Sequence, residues 1–303
     1  MVSVTLGICA LIEERGVIRL IKEGFKEGVN EVILVTPNKK LAKTVQMTFN
    51  TSPSINIILE GKREGKSAAI NKILRRATGD IIVMASADVR IKKGSIKKLV
   101  KKMIDEGDNV GAVDSHVMLL DSGKKFFNKV VNFTWMLHNL TMMQLNNNGR
   151  LGHVAGDLYA LRKGIVDRIP AKVINDDAYI ATIIKLKGYD VLHEAGAICY
   201  ILGPQNPYDY IVQRSRVLYG HFQIYKILKK YPTTFQFTAF KRPLFAMNIF
   251  KRAIKHFGAA GILYILIALL LEFLAILYAS LCVIKRSSPL RWKLAMSTKG
   301  MFT

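Results

Sequence analysis

Along the first hundred residues, short apolar runs of strand length alternate with longer stretches whose apolar positions repeat at helical spacing. Residues 3–10, 31–36, 55–59 and 80–85 read as strands, each a compact run rich in Val, Ile and Leu. Between them, residues 13–26, 39–49 and 66–77 read as helices. In the last of these, Ala69, Ile70, Ile73, Leu74 and Ala77 share one face. Strands separated by helical segments predict a parallel sheet of βαβ units, so the expected fold class is α/β. Residues 94–107 continue as an amphipathic helix, with Ile96, Leu99, Val100, Met103 and Ile104 on one face and Lys97, Lys98, Lys101 and Lys102 on the other. Residues 110–119 read as a further strand. Residues 126–145 read as a long, mostly apolar helix that either joins the core or lies against a membrane surface.

Near the C-terminus the pattern changes. Residues 257–284 are apolar apart from small residues, tyrosines and Glu272. As a helix this run would extend about 42 Å, and crossing a bilayer core of about 30 Å needs about 20 residues. The run is long enough to span with tilt; the competing reading is a buried core helix. Glu272 would then have to face protein, water or headgroups. Basic residues flank both ends (Lys251, Arg252 and Lys255; Lys285, Arg286, Arg291 and Lys293), so charge asymmetry does not orient the span.

Composition adds two constraints. The chain has 303 residues, half of them hydrophobic, enough for one large α/β domain with an appendage. Its 45 Lys and Arg against 22 Asp and Glu give a net charge of +23. Such a balance favours an anionic partner: nucleic acid, phospholipid headgroups or a phosphorylated substrate. The plain alternative is a solvated basic surface. No basic-and-aromatic recognition motif accompanies the charge, so nucleic acid is not an expected partner. Cys9, Cys199 and Cys282 are scattered, which disfavours a disulfide framework, and the six histidines show no metal-ligand spacing. The chain opens on a strand-like run without a basic leader, so no signal peptide is expected.

Four groups of residues carry candidate chemistry. The first is GKREGKSAAIN (61–71), after a strand and opening a helix, where glycines, Lys66 and a helix N-terminus can cradle phosphate. It misses a Walker A loop by one residue, because the first glycine falls at Gly61 and not at Glu60. The second is Ser86-Ala87-Asp88 at the carboxyl end of an apolar strand, where α/β sheets bind ligands and a carboxylate can hold Mg²⁺ or Mn²⁺. The third is Asn175-Asp176-Asp177 at the start of a helix, either a cap or the seat of a general base. The fourth is Gln213-Arg214-Ser215-Arg216 in a helical context, suited to phosphate oxygens or sugar hydroxyls.

Taken in order, these segments resemble the family-2 glycosyltransferases, over roughly residues 2–225. VTLGICALIEE resembles the family's first strand and its acidic-ended loop, GKREGKSAAIN its GKxxALN stretch, and GDIIVMASADV the strand ending in the DxD metal motif. GHVAGDLYALRKG resembles the acceptor-side segment, INDDAYI the motif that carries the catalytic base, and QRSRVLYG the Q(Q/R)xRW motif. The resemblance implies a GT-A fold, a Rossmann-like, mostly parallel sheet with flanking helices. It also implies an inverting, metal-dependent transfer of a sugar from a nucleotide-diphosphate donor to an acceptor hydroxyl, lipid-linked or on a glycan. Asp88 would be the Mg²⁺ or Mn²⁺ ligand and Asp177 the base, with Asp176 as its acidic neighbour. Gln213 and Arg216 would contact the diphosphate or the acceptor end, and Glu13 and Lys66 would lie near the nucleotide. The expected organisation is a GT-A catalytic domain over 1–230, a basic interfacial linker over 231–256, a transmembrane helix over 257–284 and a basic tail over 285–303. The expected location is a membrane, with the catalytic domain on the cytoplasmic side.

The chain departs from the family pattern at four points: Ser86 replaces the first Asp of DxD, Thr36-Pro37-Asn38 replaces a nucleotide-reading Asp pair, Ile12 replaces an Asn, and Val217 replaces the Trp of QxxRW. The last, with a single candidate span, argues against a polymer-extruding synthase. Two other readings remain: a catalytically inactive, membrane-bound relative that binds sugar, and a P-loop NTPase built on GKREGKS.

Overall fold

The computed structural model describes residues 2–50, 52–120 and 125–284, so the expected basic tail, 285–303, lies outside the described residues. Strands β1 (Val4–Cys9), β2 (Glu31–Thr36), β3 (Ile55–Leu59) and β4 (Ile81–Ser86) form on the four apolar runs, with helices α1 (Glu14–Lys26), α2 (Lys39–Thr48) and α3 (Lys66–Arg76) between them. There follow β5 (Arg90–Ile91), α4 (Ser95–Asp105), β6 (Val110–Leu119), α5 (Phe126–Asn147), β7 (Leu158–Arg162), α6 (Asp176–Leu186), β8 (Asp190–Ile201) and α7 (Pro207–Leu228). Residues 231–256 carry α8 (Phe235–Lys241) and most of α9 (Pro243–Phe257), and the apolar run forms α10 (Ala260–Ile284).

The strands make one mostly parallel α/β sheet in the order β3-β2-β1-β4-β7-β6-β8-β5. β1 to β4 are parallel neighbours; β7 runs antiparallel between β4 and β6. The pattern does not predict β5, β7 or β8. β8 alternates in burial, but its buried positions include His193 and Ala197 while Leu192, Ile198 and Tyr200 are only half-buried, so its hydrophobic pattern does not show that alternation.

Side-chain alternation builds a core on each side of the sheet. Val32 and Leu34 pack with Leu6, Ile8, Leu20 and Leu41 on one side. Ile33 and Val35 pack with Ile70, Ile73, Met84 and Ile180 on the other. Helix α3 lies tight on the sheet at Gly7, where an added Cβ would come within 2.7 Å of Ile73 and 2.8 Å of Met84.

Helix α10 is not solitary. Gly261, Tyr264, Ala268, Leu271, Ala275 and Ala279, spaced three and four apart, form a buried stripe. Tyr264 meets Phe126 and Phe133 of α5 and Phe257 at the end of α9, while Ala275 and Ala279 pack against Leu218 of α7. The opposite face is bare: Leu266 and Leu270 are 60% and 58% exposed. Glu272 points inward, where it accepts hydrogen bonds from Tyr210 Oη (2.9 Å), Arg214 Nε (2.6 Å) and Gln236 Nε2 (3.2 Å). Among the described residues, α10 is the one helix long and apolar enough to cross a membrane.

Candidate active site

One cleft of about 1210 Å³ opens along the carboxyl ends of β1, β2 and β4. That edge is where an open α/β sheet receives ligands. Because β7 is antiparallel, its start reaches the same edge: Leu158 pairs with Ala85, which brings Gly156 and Asp157 beside Ser86. Ser86 N–H donates to Asp157 O at 2.9 Å, and Ser86 Oγ donates to Gly156 O at 3.3 Å.

Of the residues singled out by sequence, Glu13, Lys66, Asp88, Asp177, Gln213 and Arg216 all line this cleft. Asp176 sits behind them, 4% exposed, and pairs with Lys66 Nζ at 3.2 Å. Glu13 accepts the N–H groups of Leu11 (2.8 Å) and Ile12 (3.0 Å), so its carboxylate fixes the loop after β1. Asn38, in the place of an expected acid, caps α2 and donates to Leu11 O at 3.0 Å. Cys9 packs against the core and also lines the cleft, and burial pushes its thiol up to about 12.

The loop that delivers Asp176 and Asp177 is clamped from two helices. From α3, Ser67 Oγ donates to Val173 O (2.6 Å), while Asn71 donates to Ile169 O (2.7 Å) and accepts from Ile169 N (2.8 Å). From α7, Gln223 accepts from Ile174 N (3.0 Å) and donates to Lys172 O (2.6 Å). The serine and asparagine of GKSAAIN thus hold the loop of the candidate base. The loop before β7 is held by Asp114, buried on β6, whose carboxylate accepts Ala155 N–H at 2.8 Å and lies 3.2 Å from His193 Nδ1.

These clamps crowd like charges. Burial first, and then Asp176, raise the Asp177 carboxyl above the usual carboxylate range, against the pull of Lys66 and His153. Asp157 is pushed up to about 7, by burial first and then by the charge of Asp88. Lys66 is held above its ordinary value because Asp176 and Asp177 outweigh its desolvation. His153, 9% exposed, is lowered by burial despite the nearby Asp177, and its Nδ1 has no hydrogen-bond partner.

Asp157, within GHVAGDLYALRKG, has no role that the sequence motifs assign. The available signal was a carboxylate directly after a glycine and before an apolar run, which could also be a turn residue. Asp88 and Asp157 suit a divalent cation, since Mg²⁺ is commonly bound by one or two carboxylates together with substrate phosphates. Among the described residues no three His, Cys, Asp or Glu side chains converge as a complete metal cage.

Gly156 sets the closest tolerance in the site. It has φ +80°, and a Cβ there would lie 2.9 Å from Asp177 Cγ and closer still to Asp177 Oδ2. Gly156→Ala is expected to displace the Asp177 carboxylate and to lower thermal stability by a few degrees, about 1–3 kcal/mol for a strained φ. A melting curve and a turnover assay check this, and an Ala variant with unchanged stability and activity would contradict it. The sequence pattern of glycosyl transferase family 2 matches residues 10–169. The mannosyltransferase PcManGT from Pyrobaculum calidifontis, solved with GDP-Man and Mn²⁺, superposes with a TM-score of 0.60 over 96% of this chain and 82% of its own, at 19% identity. Mannosyl-3-phosphoglycerate synthase from Rubrobacter xylanophilus gives 0.50 over 75% and 74%, at 13% identity. GalNAc-T7 with UDP, GalNAc and Mn²⁺ gives 0.53 over 75% and 48%, at 11% identity. No curated protein matches by sequence. The structural likenesses establish a GT-A fold, and with more than half of the chain inside the family pattern, this protein belongs to glycosyl transferase family 2.

Proposed function

We propose that the protein is an inverting glycosyltransferase that moves a sugar from a nucleotide-diphosphate donor to an acceptor hydroxyl at a membrane. The observation that carries this reading is that Asp88 and Asp177, from separate elements, line one cleft together with Lys66, Gln213 and Arg216. Asp88 and Asp157 would hold a Mg²⁺ or Mn²⁺ ion, whose charge stabilises the departing nucleoside diphosphate. Asp177 takes the proton of the acceptor hydroxyl as its oxygen attacks the anomeric carbon. The carbon–oxygen bond to the diphosphate breaks with its electron pair on the leaving group. Lys66 and Arg216 supply further positive charge for that group, Gln213 hydrogen-bonds to it, and Glu13 shapes the loop against the nucleotide.

The departure at Ser86 motivates the reading of an inactive, sugar-binding relative. Against it, Ser86 holds Gly156 through its hydroxyl, and Asp157 provides a second carboxylate beside Asp88. The NTPase reading lacks the first glycine of its loop, because that position is Glu60, whose carboxylate pairs with Lys72 at 2.7 Å.

The bare apolar face of α10, in a chain of net charge +23 that suits anionic headgroups, supports membrane association. The ion pair of Glu272 with Arg214 keeps the inner face on the catalytic domain.

A panel of nucleotide sugars with Mn²⁺ tests the chemistry. Asp177→Asn is expected to lower turnover by about 100-fold or more while donor affinity stays unchanged; full activity in that variant would remove Asp177 as the base. The base works ionised and its carboxyl is raised, so activity should fall on acidification at a pH above the ordinary carboxylate range. Membrane binding is read separately by flotation. Removal of residues 256–303, or Leu266→Asp with Leu270→Asp on the bare face, should release the protein from vesicles, and unchanged flotation in both would refute the membrane assignment.

A further inference from the structure

The cleft does not end at its carboxylates. Beyond Gln213 and Arg216 its walls are mostly apolar, with Val131 and Trp135 of α5, Val217 of α7, and Ile265, Leu269 and Phe273 of α10, beside the polar His138 and His221. Leu269 and Phe273 line the cleft and yet are 54% and 56% exposed on the outward side of α10. The apolar end therefore opens beside the same face that is proposed to meet lipid. The acid on that wall, Glu272, is neutralised by Arg214 and bonded to Tyr210 and Gln236, so it offers no free charge to the passage. Val217, at the position of the family motif's tryptophan, puts on the cleft wall a smaller side chain than an indole. At about 1210 Å³ the cleft exceeds the range of roughly 300–1,000 Å³ usual for a small-molecule site.

We propose that the acceptor is a lipid, with its hydroxyl-bearing head at Asp177 and its hydrocarbon chain running past Val217 and Trp135 and out along Leu269 and Phe273 into the bilayer. This rests on the transferase reading above and names the class of its acceptor. Three features favour a hydrocarbon chain over a soluble glycan. The far wall is mostly apolar, its mouth is continuous with the membrane face, and Arg216, exposed and without a partner among the described residues, stands at the junction where a polar head would meet its tail.

The test uses the full chain with Trp292→Phe, which leaves Trp135 as the single tryptophan. The protein is bound to vesicles of phosphatidylglycerol and phosphatidylcholine containing an alkyl glucoside brominated near the end of its tail. Bromine quenches indole fluorescence on contact, so entry of the tail should quench Trp135 saturably. Val217→Phe and Leu269→Gln should each raise the half-saturating concentration by about fivefold or more with flotation unchanged. Absence of quenching in vesicle-bound protein would overturn the proposal. So would equal quenching in both variants, or equal quenching by brominated phospholipid of the bulk bilayer, since either would mark general bilayer contact. Donor binding, measured by calorimetry with Mn²⁺ and GDP- or UDP-sugars, separates the two levels. Donor binding without quenching removes the lipid acceptor alone. Quenching with no donor bound leaves a lipid site that is not an acceptor site, and overturns both. Competition by unlabelled isoprenyl glucoside against unlabelled straight-chain glucoside then identifies the source of the chain, an isoprenoid carrier or an ordinary membrane glycolipid.

Discussion

The constraint on which the site depends is the enforced proximity of like charges. Asp88, Asp157 and Asp177 share one cleft with Asp176 just behind, and the cation engaged among them is Lys66, itself paired with Asp176. Carboxylates so placed repel one another, and they stay together only because the backbone that carries them is tied down elsewhere. Ser67 and Asn71 from α3, Gln223 from α7 and Asp114 from β6 make those ties through hydrogen bonds to main-chain atoms. Burial first, and then the neighbouring carboxylates, raise the carboxyls of Asp157 and Asp177. The proposed divalent cation would offset this repulsion.

The apolar helix is joined to that preparation. Arg214 lies in α7 between Gln213 and Arg216, the two residues proposed to meet the donor or the acceptor, and its guanidinium holds Glu272 of α10 in a two-point pair at 2.6 and 3.1 Å. A buried charge left without its partner costs about 3–5 kcal/mol, so α10 cannot leave α7 cheaply. The consequence is that α10 and the helix carrying Gln213 and Arg216 form one packed unit, as the proposed entry of a lipid acceptor requires.

Much of this was readable from the chain. The four parallel strands and their helices follow from apolar runs and helical periodicity, because both signals come from burial, which these elements share along their whole length. Asp88 and Asp177 were visible because each sits at a strand end or helix start. Other parts were not. β7 is five residues long and antiparallel in an otherwise parallel region, so nothing local announces that it brings Asp157 to the cleft. The roles of Ser67 and Asn71 depend on a loop about a hundred residues away, a separation that no spacing rule reaches. The polar residue inside the apolar run, Glu272, was legible as an anomaly, but its partner Arg214 was not, because the pair forms only when α7 and α10 lie side by side.

The most direct test of the account is whether a divalent cation binds where Asp88 and Asp157 meet. Mn²⁺ titrated into the protein with GDP or UDP, and followed by electron paramagnetic resonance of the free ion, should be taken up by the wild type. Uptake should weaken by about tenfold or more in Asp88→Asn, with melting behaviour in the absence of metal preserved. Equal Mn²⁺ uptake by wild type and Asp88→Asn would contradict the central claim.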